Sequence, residues 1–434
     1  MNQQLTKEFR DKTMQASDAV GLVKNGDTVY VGTCTSVAYG LLDAILQREG
    51  ELEDVTLAGG LIIKPAPVFS SDGFNFLTYF TGAAERKNLY KAGSGFTSVH
   101  LSQVDIWCRE TAKPNVAFLE VSPPDENGYM SLGAGGVGAG TYIIETADTI
   151  ILQINKLAPY VYGENNLIHI SEADCIVYID TGIAEIPSLP DNDAVTAIGD
   201  LLLGQIPDGA CIQLGLGGLA TVVGDRLRVR NDLGAHSELI CDPIMDLMKL
   251  GVLNNSRKNF LPGKSVAGCS LGSKALYEFV DHNEDVYFLP FPIVNNPAVI
   301  ARNDNVISVN TAISIDLFGQ VNADNFAGRQ YSATGGQLDF VRGAQMSKGG
   351  KSFIAIQSIV EGEKSGRVSR IVAGFPQGTA ITTPRSDVQY IVTEYGCVNL
   401  KPLSMRDRAR ALISIAHPDF RAQLTDEAKA AGIL

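Results

Sequence analysis

Gln213-Leu214-Gly215-Leu216-Gly217-Gly218 is the stretch of this 434-residue chain that most clearly indicates its fold. It joins a short apolar strand to a glycine turn that opens a helix, and such a turn directs free backbone N–H groups at an anionic or polarised oxygen. A second segment, Gly234-Ala235-His236-Ser237-Glu238, places a carboxylate among small residues just before another helix. A carboxylate beside a cradle of amide donors indicates covalent catalysis.

The alternation of strands and helices extends along the whole chain. Short apolar runs at 28–32, 116–119, 150–154 and 175–179 suit a sheet covered by helices on both faces. The pattern therefore predicts an α/β fold of open, mostly parallel sheets. Because 434 residues exceed what one hydrophobic core covers, we expect two domains. Prolines and polar turn formers at 186–193 put the boundary there, giving domains over 1–188 and 189–434 of similar plan.

Composition limits the partners. A formal net charge of −13 argues against nucleic acid or an anionic membrane surface, yet it leaves room for a local basic pocket. A phosphate-bearing ligand would need a cluster of Lys and Arg. The chain lacks a run of eighteen apolar residues and an apolar signal core at its start, so we expect a cytoplasmic protein. Seven scattered cysteines without Cys-x-x-Cys spacing are typical of core residues in a reducing compartment.

The sequence also contains patterns that are typical of other chemistries. Gly268-Cys269-Ser270-Leu271-Gly272 matches a Gly-x-Ser-x-Gly elbow, so a serine hydrolase stays open as an alternative. Residues 133–138 match the Gly-x-Gly-x-x-Gly dinucleotide fingerprint, but the five glycines in residues 133–140 are more typical of a mobile loop. A Walker loop is absent, and the five histidines are too dispersed for a metal site.

Two further features have both a structural and a functional interpretation. His236 lies two residues from Glu238, where it is placed either to tune the carboxylate and bind substrate or to serve as a satisfied structural histidine. Arg385 and Glu394 are expected to form an ion pair that serves only the fold.

Seven short motifs in a constant order carry a resemblance to a known family. They are Ser122-Pro-Pro-Asp-Glu-Asn-Gly-Tyr129, His169-Ile-Ser-Glu172, Gln213-Leu-Gly-Leu-Gly217, His236-Ser-Glu238, Asn310-Thr-Ala312 with Asp316 and Gly319-Gln-Val-Asn322, Gly335-Gly-Gln-Leu-Asp-Phe340, and Thr382-Thr-Pro-Arg385 with Val392-Thr-Glu-Tyr-Gly396. Together they make the chain resemble the acetyl-CoA hydrolase/transferase family of class I CoA-transferases, most closely its 4-hydroxybutyrate CoA-transferase branch.

The resemblance implies a two-domain α/β fold with the active site in the cleft between domains, and a homodimer or homotetramer. It implies acyl-CoA and a small carboxylate as substrates, no tightly bound cofactor and no metal. Glu238 would be the nucleophile, passing through an acyl-glutamyl anhydride and a glutamyl-CoA thioester. The residues carried over for coenzyme A are Gly215, Leu216, Gly217, Gly218, Leu219, Gly335, Gly336, Gln337 and Asn310. Fixed donors at Gly217 and Gly218 would stabilise the developing oxyanion by about 3 kcal/mol each.

The chain departs from the family mainly near its start. Relatives commonly carry a Gly-His-x-x-x-Glu-Pro-like stretch where this chain has Gly32-Thr33-Cys34-Thr35-Ser36-Val37-Ala38, so the acyl group stays open. Transfer between carboxylates is the first hypothesis. Hydrolysis of a short acyl-CoA is the second, and a CoA-binding regulatory protein that kept the fold is the third, against which the intact Glu238 speaks.

Overall fold

The computed structural model describes residues 3–186, 192–362 and 366–434. The predicted boundary between residues 188 and 189 falls in 187–191 and lies outside the described residues. The helices, in chain order, are α1 (Gln3–Lys12), α2 (Ala16–Val20), α3 (Tyr39–Leu46), α4 (Val104–Ile106), α5 (Gly133–Thr146), α6 (Asp193–Leu203), α7 (Gly218–Leu227), α8 (Asp242–Lys249), α9 (Lys274–Val280), α10 (Phe291–Val294), α11 (Pro297–Ile300), α12 (Gln337–Met346), α13 (Met405–Ile415) and α14 (Pro418–Ala430).

The strands are short and evenly spread along the chain. In order they are β1 (Thr28–Thr33), β2 (Ser36–Val37), β3 (Val55–Gly60), β4 (Phe74–Thr78), β5 (Gly95–Phe96), β6 (Val116–Val121), β7 (Tyr129–Ser131), β8 (Thr149–Ile154), β9 (Tyr162–Gly163), β10 (Leu167–His169), β11 (Cys175–Tyr178), β12 (Cys211–Leu214), β13 (Gly234–Ala235), β14 (Leu239–Ile240), β15 (Ser265–Ala267), β16 (Cys269–Ser270), β17 (Val286–Phe288), β18 (Val306–Thr311), β19 (Ser314–Asp316), β20 (Val321–Asn322), β21 (Asn325–Phe326), β22 (Arg329–Gln330), β23 (Lys351–Ala355), β24 (Ile359–Gly362), β25 (Gly366–Ser369), β26 (Ile371–Val372), β27 (Tyr390–Thr393) and β28 (Gly396–Asn399).

The chain divides into two compact units, each of them discontinuous in sequence. Unit 1 comprises Met1–Pro187, Glu238–Ile240 and Val266–Val294. Unit 2 comprises Ser188–Ser237, Cys241–Ser265 and Asn295–Leu434. The chain thus passes from unit 2 into unit 1 between Ser237 and Glu238.

Unit 1 is built on one large sheet with the strand order β11-β8-β6-β1-β3-β4-β5. Every neighbouring pair along this order is parallel, and β2 adds an antiparallel pair to β1. Strand β6 is buried along its whole length. Such a strand needs helices on both faces of its sheet, which explains the continuous apolar run at 116–119.

Unit 2 repeats the plan with the strand order β13-β12-β18-β23-β27-β28. Its pairs are parallel except for the antiparallel pair at the edge, β27 with β28. Asn192 starts helix α6 by accepting a hydrogen bond from the backbone N–H of Val195 at 3.0 Å, which satisfies a donor that the helix leaves free. The predicted α/β fold of open, mostly parallel sheets is confirmed.

The glycine-rich residues 133–140 do not form the mobile loop that their composition predicted, because they open helix α5 and most of them are buried. A Cβ atom on Gly135 would lie 2.7 Å from the backbone nitrogen atoms of Thr35 and Ser36, and one on Gly138 would lie 2.3 Å from the ring of Phe291. The glycines therefore let the helix approach the turn between β1 and β2 and an aromatic ring.

Among the described residues, the helices are all too short or too polar to cross a membrane. The same residues hold no group of three or more His, Cys, Asp or Glu side chains arranged to bind a metal ion.

Candidate active site

The glycine turn of unit 2 follows a completely buried strand. Strand β12 ends at Leu214, and residues 215–219 are half-buried. Gly217 has φ +96°, a backbone conformation that side-chain-bearing residues rarely adopt, and it is the residue from which α7 begins. A Cβ atom on Gly215 would meet no other atom within 4 Å. The backbone of the turn is therefore partly open, and the first N–H groups of α7 have no acceptor within the helix, as an amide cradle requires.

Two amide side chains lie at the ends of neighbouring parallel strands in this sheet. Gln213 of β12 and Asn310 of β18 exchange hydrogen bonds, with Asn310 Nδ2 donating to Gln213 Oε1 at 3.1 Å. Gln213 is 3% exposed. Because the two amides satisfy each other, Asn310 orients Gln213 beside the glycine turn.

Gln337 brings the third predicted segment to the same strand ends. It opens α12 directly after Gly335 and Gly336, and Gly335 has φ +58°. Its Nε2 donates to the carbonyl of Thr311, the last residue of β18, at 2.7 Å. Its Oε1 accepts from Thr383 Oγ1 at 2.9 Å. The carboxyl ends of parallel strands are where open α/β sheets bind ligands, so the predicted residues of unit 2 converge on one edge.

The segment that leads to Glu238 ends at this edge as well. Strand β13 pairs parallel to β12, and Ser237 follows it. Ser237 Oγ donates to the carbonyl of Leu214 at 3.2 Å. The residue before Glu238 is thus attached to the strand end from which the glycine turn starts.

Of the two roles that the sequence allowed for His236, the contacts of its ring favour the structural one. Its ring is fully buried, and it packs 5.7 Å from the ring of Phe260 and 6.2 Å from that of Phe340. Asn303 Nδ2 lies 3.1 Å from His236 Nδ1, within hydrogen-bond distance. A ring enclosed in this way anchors β13.

Lys258 and Asn255 complete the outer edge of β13. Lys258 Nζ donates to the carbonyl of Ala235 at 2.8 Å and to that of Lys264 at 2.5 Å. Asn255 Oδ1 accepts from the N–H of Ala235 at 2.9 Å. Burial lowers the pKa of Lys258 to about 8. These side chains form hydrogen bonds where a further strand would otherwise pair with β13. The backbone at Ala235, three residues before Glu238, therefore has β12 on one side and these side chains on the other.

In unit 1, Glu238 lies at the start of the small parallel pair β14 and β16. Its backbone carbonyl accepts hydrogen bonds from the N–H groups of Gly268 at 3.0 Å and Cys269 at 3.3 Å. Glu238 is half-buried. The pKa of Cys269 is raised well above its usual value by a hydrogen bond with Cys34, by burial and by the Glu238 carboxylate. The thiol beside Glu238 therefore stays protonated and does not compete as a nucleophile.

The serine elbow has no catalytic geometry. Ser270 lies within strand β16, is fully buried, and its hydroxyl has no hydrogen-bond partner. A serine nucleophile needs a hydrogen-bonded base, so this alternative is wrong. The expected ion pair is also wrong, because Glu394 accepts from Ser358 while the Arg385 guanidinium lies 5.9 Å from the ring centre of Phe318.

Sequence reasoning missed the supports of β13. Lys258 and Asn255 lie in the polar stretch 254–259, whose composition is typical of a solvated loop. Nothing in their spacing indicates burial. Asn303 lies in a similar polar turn, and only the tertiary structure brings it to His236.

Known proteins agree with this architecture. The acetyl-CoA hydrolase/transferase N-terminal domain profile matches residues 1–187, and the C-terminal domain profile matches residues 272–428. The succinyl-CoA:cyclohexane-1-carboxylate CoA transferase of Geobacter metallireducens is 38% identical over 98% of this chain and 96% of its own. The 4-hydroxybutyrate coenzyme A transferase of Clostridium kluyveri is 36% identical over 97% of this chain and 98% of its own.

Solved structures extend the comparison to three dimensions. The crystal structure of RipA from Yersinia pestis superposes with a TM-score of 0.92 at 34% identity, covering 100% of both chains.

A more distant relative by sequence, the acetyl-CoA hydrolase of Neurospora crassa, is 26% identical over 72% of this chain and 65% of its own. The chain belongs to the acetyl-CoA hydrolase/transferase family. It is an enzyme of the CoA-transferase class, and the resemblance inferred from the motifs is confirmed.

Proposed function

We propose that the protein transfers coenzyme A between a short-chain acyl-CoA, such as 4-hydroxybutyryl-CoA or butyryl-CoA, and acetate or another carboxylate, with Glu238 as the nucleophile. The observation that carries the proposal is the hydrogen bond from Ser237 Oγ to the carbonyl of Leu214 at 3.2 Å. It attaches the residue before a half-buried carboxylate to the strand that ends in the glycine turn.

The first half-reaction forms two covalent intermediates in turn. A carboxylate oxygen of Glu238 attacks the thioester carbonyl carbon, the C–S bond breaks, and CoA leaves as a thiolate. The product is a mixed anhydride between Glu238 and the acyl group. The thiolate then attacks the glutamyl carbonyl carbon, which releases the original acid as its carboxylate and leaves CoA joined to Glu238 as a thioester. A second carboxylate reverses these steps to give the new acyl-CoA.

The residues suit this course because an ionised carboxylate needs no general base. The pKa of Cys269, whose thiol lies beside Glu238, is raised well above its usual value, so this thiol does not compete as a thiolate. Each attack places negative charge on a carbonyl oxygen. Backbone N–H groups at Gly217 and Gly218 would stabilise that charge, since the first N–H groups of a helix have no acceptor within it.

A single incubation tests the nucleophile. Butyryl-CoA is mixed with the enzyme without an acceptor, and intact mass is measured before and after borohydride reduction. We expect a covalent CoA adduct that maps to Glu238, and its loss in Glu238→Gln, which keeps the size of the side chain. Far-UV circular dichroism of the variant checks that it folds. Absence of any adduct across acyl-CoAs of several chain lengths would sink the assignment.

Hydrolysis is the second candidate, favoured by the relationship to an acetyl-CoA hydrolase. The two activities separate when butyryl-CoA and acetate are supplied together and the products are resolved by chromatography. Transfer yields acetyl-CoA in proportion to the butyrate released. Free CoA without acetyl-CoA would assign the hydrolase activity instead.

A further inference from the structure

One family motif, Thr382-Thr-Pro-Arg385, has no role in the chemistry proposed above. Thr383 Oγ1 donates to Gln337 Oε1 at 2.9 Å, so the segment contacts a residue assigned to coenzyme A. Two residues further on, Arg385 is exposed to solvent. The segment therefore leads from the predicted coenzyme A residues of unit 2 to the surface of that unit.

Cationic side chains collect around this segment. Arg408 Nη1 donates to the carbonyl of Arg385 at 2.6 Å, and Lys401 Nζ donates to that of Ser386 at 2.7 Å. Phe318 lies under the Arg385 guanidinium, with 5.9 Å between the guanidinium carbon and the ring centre. Arg408 and Lys401 are therefore bound to the backbone of two consecutive residues, and Arg385 itself is the third cation of this cluster.

Among the described residues, Arg385, Lys401 and Arg408 form no direct salt bridge. Lys401 nevertheless lies near enough to Asp387 to lower the pKa of that carboxyl. Asp387, the carboxylate of the segment, is bound by Arg342 Nε at 2.8 Å. Four cations, Arg342, Arg385, Lys401 and Arg408, therefore accompany two carboxylates, Asp387 and Asp339, in a protein whose formal net charge is −13. Such a local reversal of sign is what an anionic ligand requires.

Arg408 adds an unsatisfied group. It is 8% exposed, and its Nε has no hydrogen-bond partner. Its pKa is lowered by burial and by the neighbouring charge of Arg385. A buried guanidinium beside a like charge is unfavourable unless an anion compensates it. Guanidinium forks match pairs of oxygen atoms, and several cations together suit the greater negative charge and the additional oxygen atoms of phosphate.

We propose that Arg385, Arg408 and Lys401 form a binding site for the phosphate groups at the nucleotide end of acyl-CoA. The inference rests on the proposed function. Coenzyme A carries its phosphates far from its thiol, and Gln337 connects this site to the residues assigned to the thiol end. Binding energy gained at the phosphates can be used to position the thioester, so the site contributes to affinity without touching the reacting atoms.

The test compares two substrates that differ only in the nucleotide end. Steady-state rates are measured with butyryl-CoA and with butyryl-pantetheine, which lacks the phosphates, for wild type and for Arg385→Gln. We expect the KM for butyryl-CoA to rise roughly tenfold, as loss of a charge-assisted contact predicts, while kcat/KM for butyryl-pantetheine stays unchanged. Lys348→Gln removes an exposed cation elsewhere and serves as the matched control, since the Lys348 side chain is 87% exposed.

Two results overturn the inference. An unchanged KM for butyryl-CoA in Arg385→Gln shows that no phosphate binds there. Equal losses with both substrates show that Arg385 supports the fold or a subunit contact instead. Failure of the wild type to transfer CoA from any acyl-CoA is a separate outcome, which refutes the proposed function and the phosphate site together.

Discussion

Replacing the buried Lys258 by Met should make the stability difference between wild type and variant depend on pH. The ammonium group is held by the carbonyls of Ala235 and Lys264, and the side chain is 5% exposed. Its aliphatic stem packs against Gly234, where a Cβ atom would lie 2.6 Å from Lys258 Cγ. Burial is the main reason that its pKa falls from 10.5 to about 8.

The size of the effect follows from that shift. One pKa unit corresponds to 1.36 kcal/mol, so a shift of about 2.5 units amounts to about 3 kcal/mol. Below pH 8 the lysine is protonated in both the folded and the unfolded chain, and the folded state carries the whole cost of the buried charge. Between pH 8 and pH 10.5 the unfolded chain binds more protons than the folded one. Stability therefore rises with pH through this window.

Urea unfolding followed by far-UV circular dichroism at several pH values from 7 to 10.5 measures the effect. Lys258→Met lacks the titrating group, so the free energy of unfolding of wild type should gain about 3 kcal/mol relative to the variant across the window. Lys348→Met, at a site where the side chain is 87% exposed, should show no such pH-dependent difference. A constant difference between wild type and Lys258→Met would refute the assignment of a buried, destabilised ammonium.

Three further substitutions probe the fold and the turn. Gly135→Ala should destabilise unit 1 by about 1–3 kcal/mol, because its Cβ would lie 2.7 Å from backbone nitrogen atoms of Thr35 and Ser36, and thermal denaturation measures the loss. Gly217→Ala, at φ +96°, should lower turnover with butyryl-CoA and cost about 1–3 kcal/mol in strain; unaltered kinetics would exclude the turn from the site. Burial raises the pKa of Glu120 to about 7, so wild type should lose about 3 kcal/mol relative to Glu120→Gln as pH rises from 4.5 to 7 in urea titrations.

Much of the architecture was predictable because it depends on local patterns. The apolar run at 116–119 became β6, and the helix expected after the glycine turn became α7. Continuous apolar segments bury both faces of a strand whatever their partners are, so their pattern is enough to recognise them. The order of the motifs likewise gave the family, since it does not depend on where the motifs lie in space.

The errors share one physical cause. Residues 133–140 have low helix propensity, and only their packing against the β1–β2 turn and Phe291 makes the helix favourable. Arg385 and Glu394 have opposite charges, yet each has different neighbours in the fold. Partners that are distant in sequence decide these outcomes, and composition carries no record of them.

The sequence by itself determined the family, the class of fold, the glycine turn and the carboxylate proposed as the nucleophile, because short motifs specify backbone conformation and chemical groups locally. Tertiary structure alone decided the supports of β13, the strand that precedes this residue in the chain. Lys258, Asn255 and Asn303 come from polar loops, and the fold buries them against β13 and His236. A buried polar group is stable only where the whole fold supplies its hydrogen-bond partners, so its role becomes visible only when those partners are in place.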